Sequence, residues 1–171
     1  MKFFLLLVLA TLLSLPSTSQ EISKTEGVYH KMEGENSCRH IAYLIAVGIT
    51  YDKSINSQNY TFEFSAQDSN FDCLSNLFVL KNGTAQDIYD LLVKIENFGK
   101  QIKENGVSIN YTDYKFIRWN FGIYGKRIAV YSNVYSKDNY HSFKEKDIAT
   151  LKKKLISYCK EKGIKLDLTD N

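Results

Sequence analysis

The sequence predicts an α+β domain, with an antiparallel or mixed sheet of five to six strands and two amphipathic helices packed on one face. Three observations carry that expectation. Short runs rich in β-branched and aromatic residues recur along the chain, several with the period-two alternation of a half-buried strand. Two longer stretches instead repeat apolar residues at helical spacing. The connections are turn dipeptides such as Asn82-Gly83 and Asn105-Gly106 rather than linkers, and the single proline, Pro16, lies near the start.

The first segment reads as an export signal. Lys2 is its one charge, and Phe3 to Leu15 is an apolar run interrupted only by Thr11 and Ser14. That run is about 13 residues, short of the roughly 20 that span a bilayer as a helix, so a cleavable signal is expected rather than an anchor. Pro16 ends the helix, and Ser17 and Ser19 supply small side chains before a mature start at Gln20. The expected organisation is residues 1–19 as signal peptide and 20–171 as one domain, with the polar, weakly patterned residues 20–36 flexible. No cysteine follows the apolar run to take a lipid anchor, and no later stretch is apolar enough to span a membrane.

The first strand is expected in the segment from Arg39 to Tyr51, an apolar and β-branched run buried on both faces. Asp52 to Gln58 is turn-like, Tyr60 to Phe64 alternates as a hairpin partner, and Leu77 to Leu80 is a third short strand. Thr84 then caps a helix, with Asp87 as the acceptor three residues on and Ile88, Leu91, Leu92, Ile95, Phe98 and Ile102 on one face. Val107 to Tyr111, Tyr114 to Phe121 and Arg127 to Tyr131 alternate as further strands. Ser132 to His141 is read as a polar loop and Ser142 as the N-cap of a second helix, with Glu145 completing a capping box. Ile148, Leu151, Leu155 and Tyr158 form its buried face, Gly163 closes it, and Ile164 to Leu168 is a last edge strand. The two helices share Asp-Ile, Leu, Lys-apolar and aromatic positions at a constant offset of 60 residues. This hints at a duplicated strand-plus-helix unit, although the flanking strands do not align at that offset and amphipathic helices converge on such patterns.

Composition excludes little. The 22 basic residues include Lys2, so the expected mature chain carries 21 against 19 acidic, a net +2 that gives no reason to expect nucleic acid. Of the three cysteines, Cys38 and Cys73 both flank strand-like segments and are the expected disulfide, leaving Cys159 as a buried thiol on a helix. No nucleophile elbow and no glycine-rich phosphate loop is present. His30, Glu33, Glu35, Cys38 and His40 cluster without the paired spacing of a zinc site. Asp68, Asn70 and Asp72 start like a calcium loop that Cys73 and Val79 then break, so neither metal nor cofactor is expected.

Two features point to function. His141, expected beside a helix N-terminus, is the candidate base of a small secreted hydrolase, with Asp138 or Asp113 as carboxylate. Aromatic residues crowd the second half, and alternation cannot send all of them inward; Trp119, Tyr114 and Tyr124 are candidates for an exposed platform that takes a protein or carbohydrate. The leading expectation is a non-enzymatic binding or structural module of the cell envelope or extracellular space, periplasmic or secreted. A hydrolase built on His141 and an inhibitor or immunity-type partner of another secreted protein are the alternatives. Asn59, Asn82 and Asn110 are glycosylation sequons in a eukaryotic host and carry no meaning in a bacterial one, which the style of the signal favours.

Overall fold

A computed structural model describes residues 22–33, 40–52, 56–67, 77–120, 122, 125–134 and 136–168. The chain traces the same path twice, four strands and then a helix. Strands β1 (Ile22–Glu33), β2 (His40–Asp52), β3 (Ser57–Gln67) and β4 (Leu77–Gly83) pair in sequence order as an antiparallel sheet, followed by helix α1 (Ala85–Gln101). Strands β5 (Ser108–Asn110), β6 (Tyr114–Asn120), β7 (Lys126–Ser132) and β8 (Ser136–Phe143) repeat the arrangement, followed by α2 (Glu145–Lys162). The expected α+β class holds, but one sheet of five to six strands is replaced by two antiparallel sheets of four. The reason is local: each strand pairs with its sequence neighbour, and α1 carries the chain off the edge of β4 before the next meander starts.

Several elements depart from the sequence expectation. Residues 22–33, expected to be a flexible polar arm, run as an edge strand along β2, with register shifts at Gly27/Tyr29 and Lys31/Met32. An edge strand is paired on one side only, so it can stay polar, and irregular register is one way such an edge is blunted. β2 is buried on one face rather than both: Tyr43, Ile45 and Val47 are buried, while Leu44 and Ala46 between them are half-buried. The expected polar loop, Ser132 to His141, largely belongs to strands: β7 runs to Ser132, and β8 starts at Ser136 and pairs with β7 from Ile128 opposite Phe143 to Tyr131 opposite Tyr140. Ser142 therefore lies in a strand; the N-cap of α2 is Lys144, without a side-chain cap bond. Residues 164–168 join no sheet; Asp167 instead exchanges hydrogen bonds with Gln86, its N–H donating at 2.8 Å and its carbonyl accepting at 3.1 Å.

Other elements form as the sequence dictates. Thr84 and Asp87 make a reciprocal capping box, with Asp87 N–H on Thr84 Oγ1 at 3.2 Å and Thr84 N–H on Asp87 Oδ2 at 2.8 Å. Gly163 closes α2 at φ 70°, a left-handed conformation that suits glycine. The buried positions of α2, Ile148, Leu151, Leu155 and Cys159, fall 60 residues after Ile88, Leu91, Ile95 and Gly99, all buried in α1. Gly99 permits close approach there, since a Cβ would meet Ile128 Cδ1 at 2.7 Å.

One apolar cluster joins both sheets and both helices. Phe64 of β3 meets Phe143 of β8 at 5.9 Å between ring centroids, and Phe98 of α1 meets Phe116 of β6 at 5.7 Å, edge to face. On the inner face of the second sheet α1 lies on Phe116 and Ile128, and Glu145 at the start of α2 bonds Arg118, while Tyr158 of α2 packs on Phe62 of the first sheet. That leaves the opposite face of the second sheet turned away from both helices.

Candidate functional site

Strand register sorts the second sheet into two faces. Phe116, Arg118, Ile128, Val130, His141 and Phe143 share the inner one; Lys115, Ile117, Trp119, Arg127, Ala129, Tyr131, Tyr140 and Ser142 share the outer. Lys115, Tyr131 and Tyr140 stand in one row across β6, β7 and β8, and Trp119 faces Arg127 in another. The Tyr131 and Tyr140 rings stack at 5.0 Å and 26°, and Lys115 Nζ stands 5.8 Å from the centre of the Tyr131 ring. These are cation–π and offset-stacking distances. Trp119 is 39% exposed, the most exposed aromatic among the described residues. Arg127 donates from Nη1 to the Ser142 carbonyl at 3.3 Å and to its Oγ at 3.5 Å, while its buried Nε has no hydrogen-bond partner. The described side chains of this face include two cations and no carboxylate.

Of the residues the sequence nominates for a platform, Trp119 stands on this face. Tyr114 does not. It is buried on the inner face and donates its hydroxyl to the Leu80 carbonyl at 3.0 Å, tying β6 to β4. Alternation explains the correction, because Tyr114 shares a face with Phe116 and Arg118 rather than with Lys115. Tyr124, Cys38 and Cys73 lie outside the described residues. Sequence reasoning passed over Lys115 and Arg127, although Lys115-x-Ile117-x-Trp119 and Arg127-x-Ala129-x-Tyr131 carry the alternation that places them together. Tyr140 is not legible in the sequence, since the polar residues around it predict a loop.

His141 is not at a helix N-terminus. It sits in β8 on the inner face, where the two sheets meet. Its ring lies 4.5 Å from Phe143 and 6.1 Å from Tyr43, both edge to face, and Nδ1 is 2.7 Å from the Gln67 carbonyl. A carbonyl only accepts, so Nδ1 carries the proton and donates across the seam. Asp113 lies in the turn before β6, where its carbonyl accepts from Asn133 N–H at 2.8 Å; the Asp138 side chain lies outside the described residues. Asn59, Asn82 and Asn110 are all exposed on strands.

A second polar cluster lies on the inner face. Arg118, 2% exposed, donates through Nη2 to Glu145, whose other oxygen is 3.8 Å from Lys103, while Arg118 Nε and Nη1 lack partners. The thiol of Cys159 is buried, and burial pushes its pKa up to about 11, which holds it protonated and unreactive at neutral pH. Among the described residues no group of three or more histidine, cysteine or carboxylate side chains is placed to hold a metal ion.

No family profile matches the chain, and no curated protein matches it significantly. No helix among the described residues is long and apolar enough to cross a membrane.

Proposed function

We propose that this protein is an exported, non-enzymatic binding module of the cell envelope or extracellular space, and that it recognises its partner with the outer face of the second sheet. One observation carries the proposal: Trp119, the Tyr131–Tyr140 pair, Lys115 and Arg127 stand together on the sheet face opposite both helices. Trp, Tyr and Arg are the side chains that anchor protein interfaces, because each offers a large contact area together with a polar tip. Strands hold them more rigidly than loops would, which lowers the ordering cost of binding. Export rests on the sequence of residues 1–19, whose charge and apolar run have the signal-peptide form.

Binding is favoured over hydrolysis by the seat of His141. Its Nδ1 proton is committed to the Gln67 carbonyl, and its ring fills the seam against Tyr43 and Phe143. That is a structural use of the residue.

A photo-crosslinking residue at position 119 tests the assignment, with the same residue at the exposed Thr150 of α2 as control. The full chain is produced in its own host and irradiated in place. One discrete adduct from position 119, absent from position 150, is expected. Identical adducts from both positions, or none from 119, would remove the outer face from consideration. An inhibitor or immunity-type role would show as a stoichiometric adduct with another exported protein.

A further inference from the structure

Resting on that assignment, we infer that the occupant of the outer face is an acidic protein segment, whose carboxylates are read by Arg127 and Lys115 between the aromatic side chains. Charge gives the first argument. Lys115 and Arg127 are the ionised groups among the described side chains of the face, and both are positive. A partner of complementary sign is steered toward such a surface, and one carrying positive charge is turned away.

Hydrogen-bond accounting gives the second argument. Arg127 uses Nη1 on Ser142, at distances of 3.3 and 3.5 Å that are long for such bonds, and Nε is buried without a partner. An orphaned guanidinium N–H is costly, since its hydration is lost and nothing replaces it. Nη2 is neither buried nor hydrogen-bonded, so its N–H groups are the donors that an incoming carboxylate meets. A glutamate or aspartate arriving there adds a charge-assisted bond at the open end of the guanidinium, offsetting part of the cost of the orphaned Nε beneath it.

Ring geometry chooses protein over sugar. A pyranose stacks on an open aromatic face. Tyr131 has Tyr140 beside it on the β8 side and Lys115 over its ring from the β6 side, so this row is already layered. Such a row leaves the Tyr131 ring without an open face for a sugar to stack on.

The test is fluorescence anisotropy of the whole mature protein with a labelled glutamate-rich decapeptide, run beside polygalacturonate of matched charge. Saturable peptide binding is expected, weakened at least tenfold by Arg127→Gln and about threefold by Lys115→Gln. Arg127→Lys should fail to restore it, because an ammonium cannot hold the Ser142 contact and reach the carboxylate at once, as the fork of Nη1 and Nη2 does. Circular dichroism and unfolding midpoints of the variants separate a lost contact from a lost fold; Lys115→Gln, at a half-buried site, keeps the test decisive if the Arg127 variants unfold. Peptide binding that Arg127→Gln and Lys115→Gln both leave intact would overturn the inference. So would polygalacturonate binding as tightly as the peptide, which would make the occupant a polysaccharide, or binding of neither probe. If position 119 still crosslinks while the peptide does not bind, the face is right and the occupant wrong; if neither succeeds, both proposals fall.

Discussion

Arg118 shows what a buried charge costs and what it fixes. Its guanidinium is held by Glu145 through one nitrogen while two others go unpaired, so much of its desolvation is uncompensated. The two ends of this pair should therefore respond unequally. Arg118→Met is expected to change stability by no more than about 1 kcal/mol, or to raise it, because the apolar side chain keeps the volume and the partly exposed Glu145 remains solvated and close to Lys103. Glu145→Ala should cost about 3 kcal/mol or more, since it strands the buried cation. Urea denaturation of both variants measures the asymmetry, and equal losses would contradict it. Glu96 makes a different argument. Burial alone would raise its pKa, but the hydrogen bond and charge of Lys152, with Lys100 adding to them, hold it below the ordinary value. Asp87 is lowered too, chiefly by its hydrogen bonds to Thr84. A carboxyl group whose pKa is depressed on folding adds stability that is fully present above its unfolded pKa and is lost as pH falls through the folded one. The urea midpoint is accordingly expected to drop as pH falls below about 4.3, the ordinary glutamate value, and to drop less steeply in Glu96→Gln.

At the scale of elements, the two helices are a matched pair with unequal beginnings. α1 starts at a complete capping box, whereas α2 starts at Lys144 with no side-chain acceptor for its first N–H groups. Thr84→Ala should destabilise by about 1 kcal/mol, the usual cost of a lost cap. Lys144→Asp should stabilise by roughly 0.5–1 kcal/mol, supplying an acceptor and a negative charge at the positive end of α2. Thermal unfolding of the two variants checks both signs. The capping box of α1 was legible because Thr84 and Asp87 act within one turn. The start of α2 was misplaced because Ser142 and Glu145 have the same spacing, and only the pairing of Ser142 with Ala129 shows that strand β8 runs through it. β8 itself has too polar a sequence to announce a strand; β7 imposes that state from outside.

Over the whole molecule, the two four-strand-and-helix units do not own separate cores. Phe64 packs on Phe143, Phe98 on Phe116, and Tyr114 donates to Leu80, each contact crossing from one unit to the other. Folding is expected to be a single transition. Leu92→Ala in α1 and Leu155→Ala in α2, both fully buried, should each lower that transition by about 2–5 kcal/mol. Calorimetry would show one shifted peak in each case; a variant that split the trace into two would mean that the units fold independently. The outer face of the second sheet belongs to this scale as well, since three strands must be in register before Lys115, Tyr131 and Tyr140 form a row.

By itself the sequence determined the α+β class, the two helices with most of their buried positions (Tyr158 and Ile102 are only half-buried), and most of the strands, because alternation, helical periodicity and capping act over a few residues. It also carried the aromatic excess in the second half that pointed to a binding surface. Only the tertiary structure decided that the strands divide into two sheets, that Tyr114 and His141 face inward, and that Lys115, Arg127 and Tyr140 join Trp119 and Tyr131 on one face. Those outcomes depend on pairings between distant segments and on which face the helices cover, and no local pattern of residues encodes either.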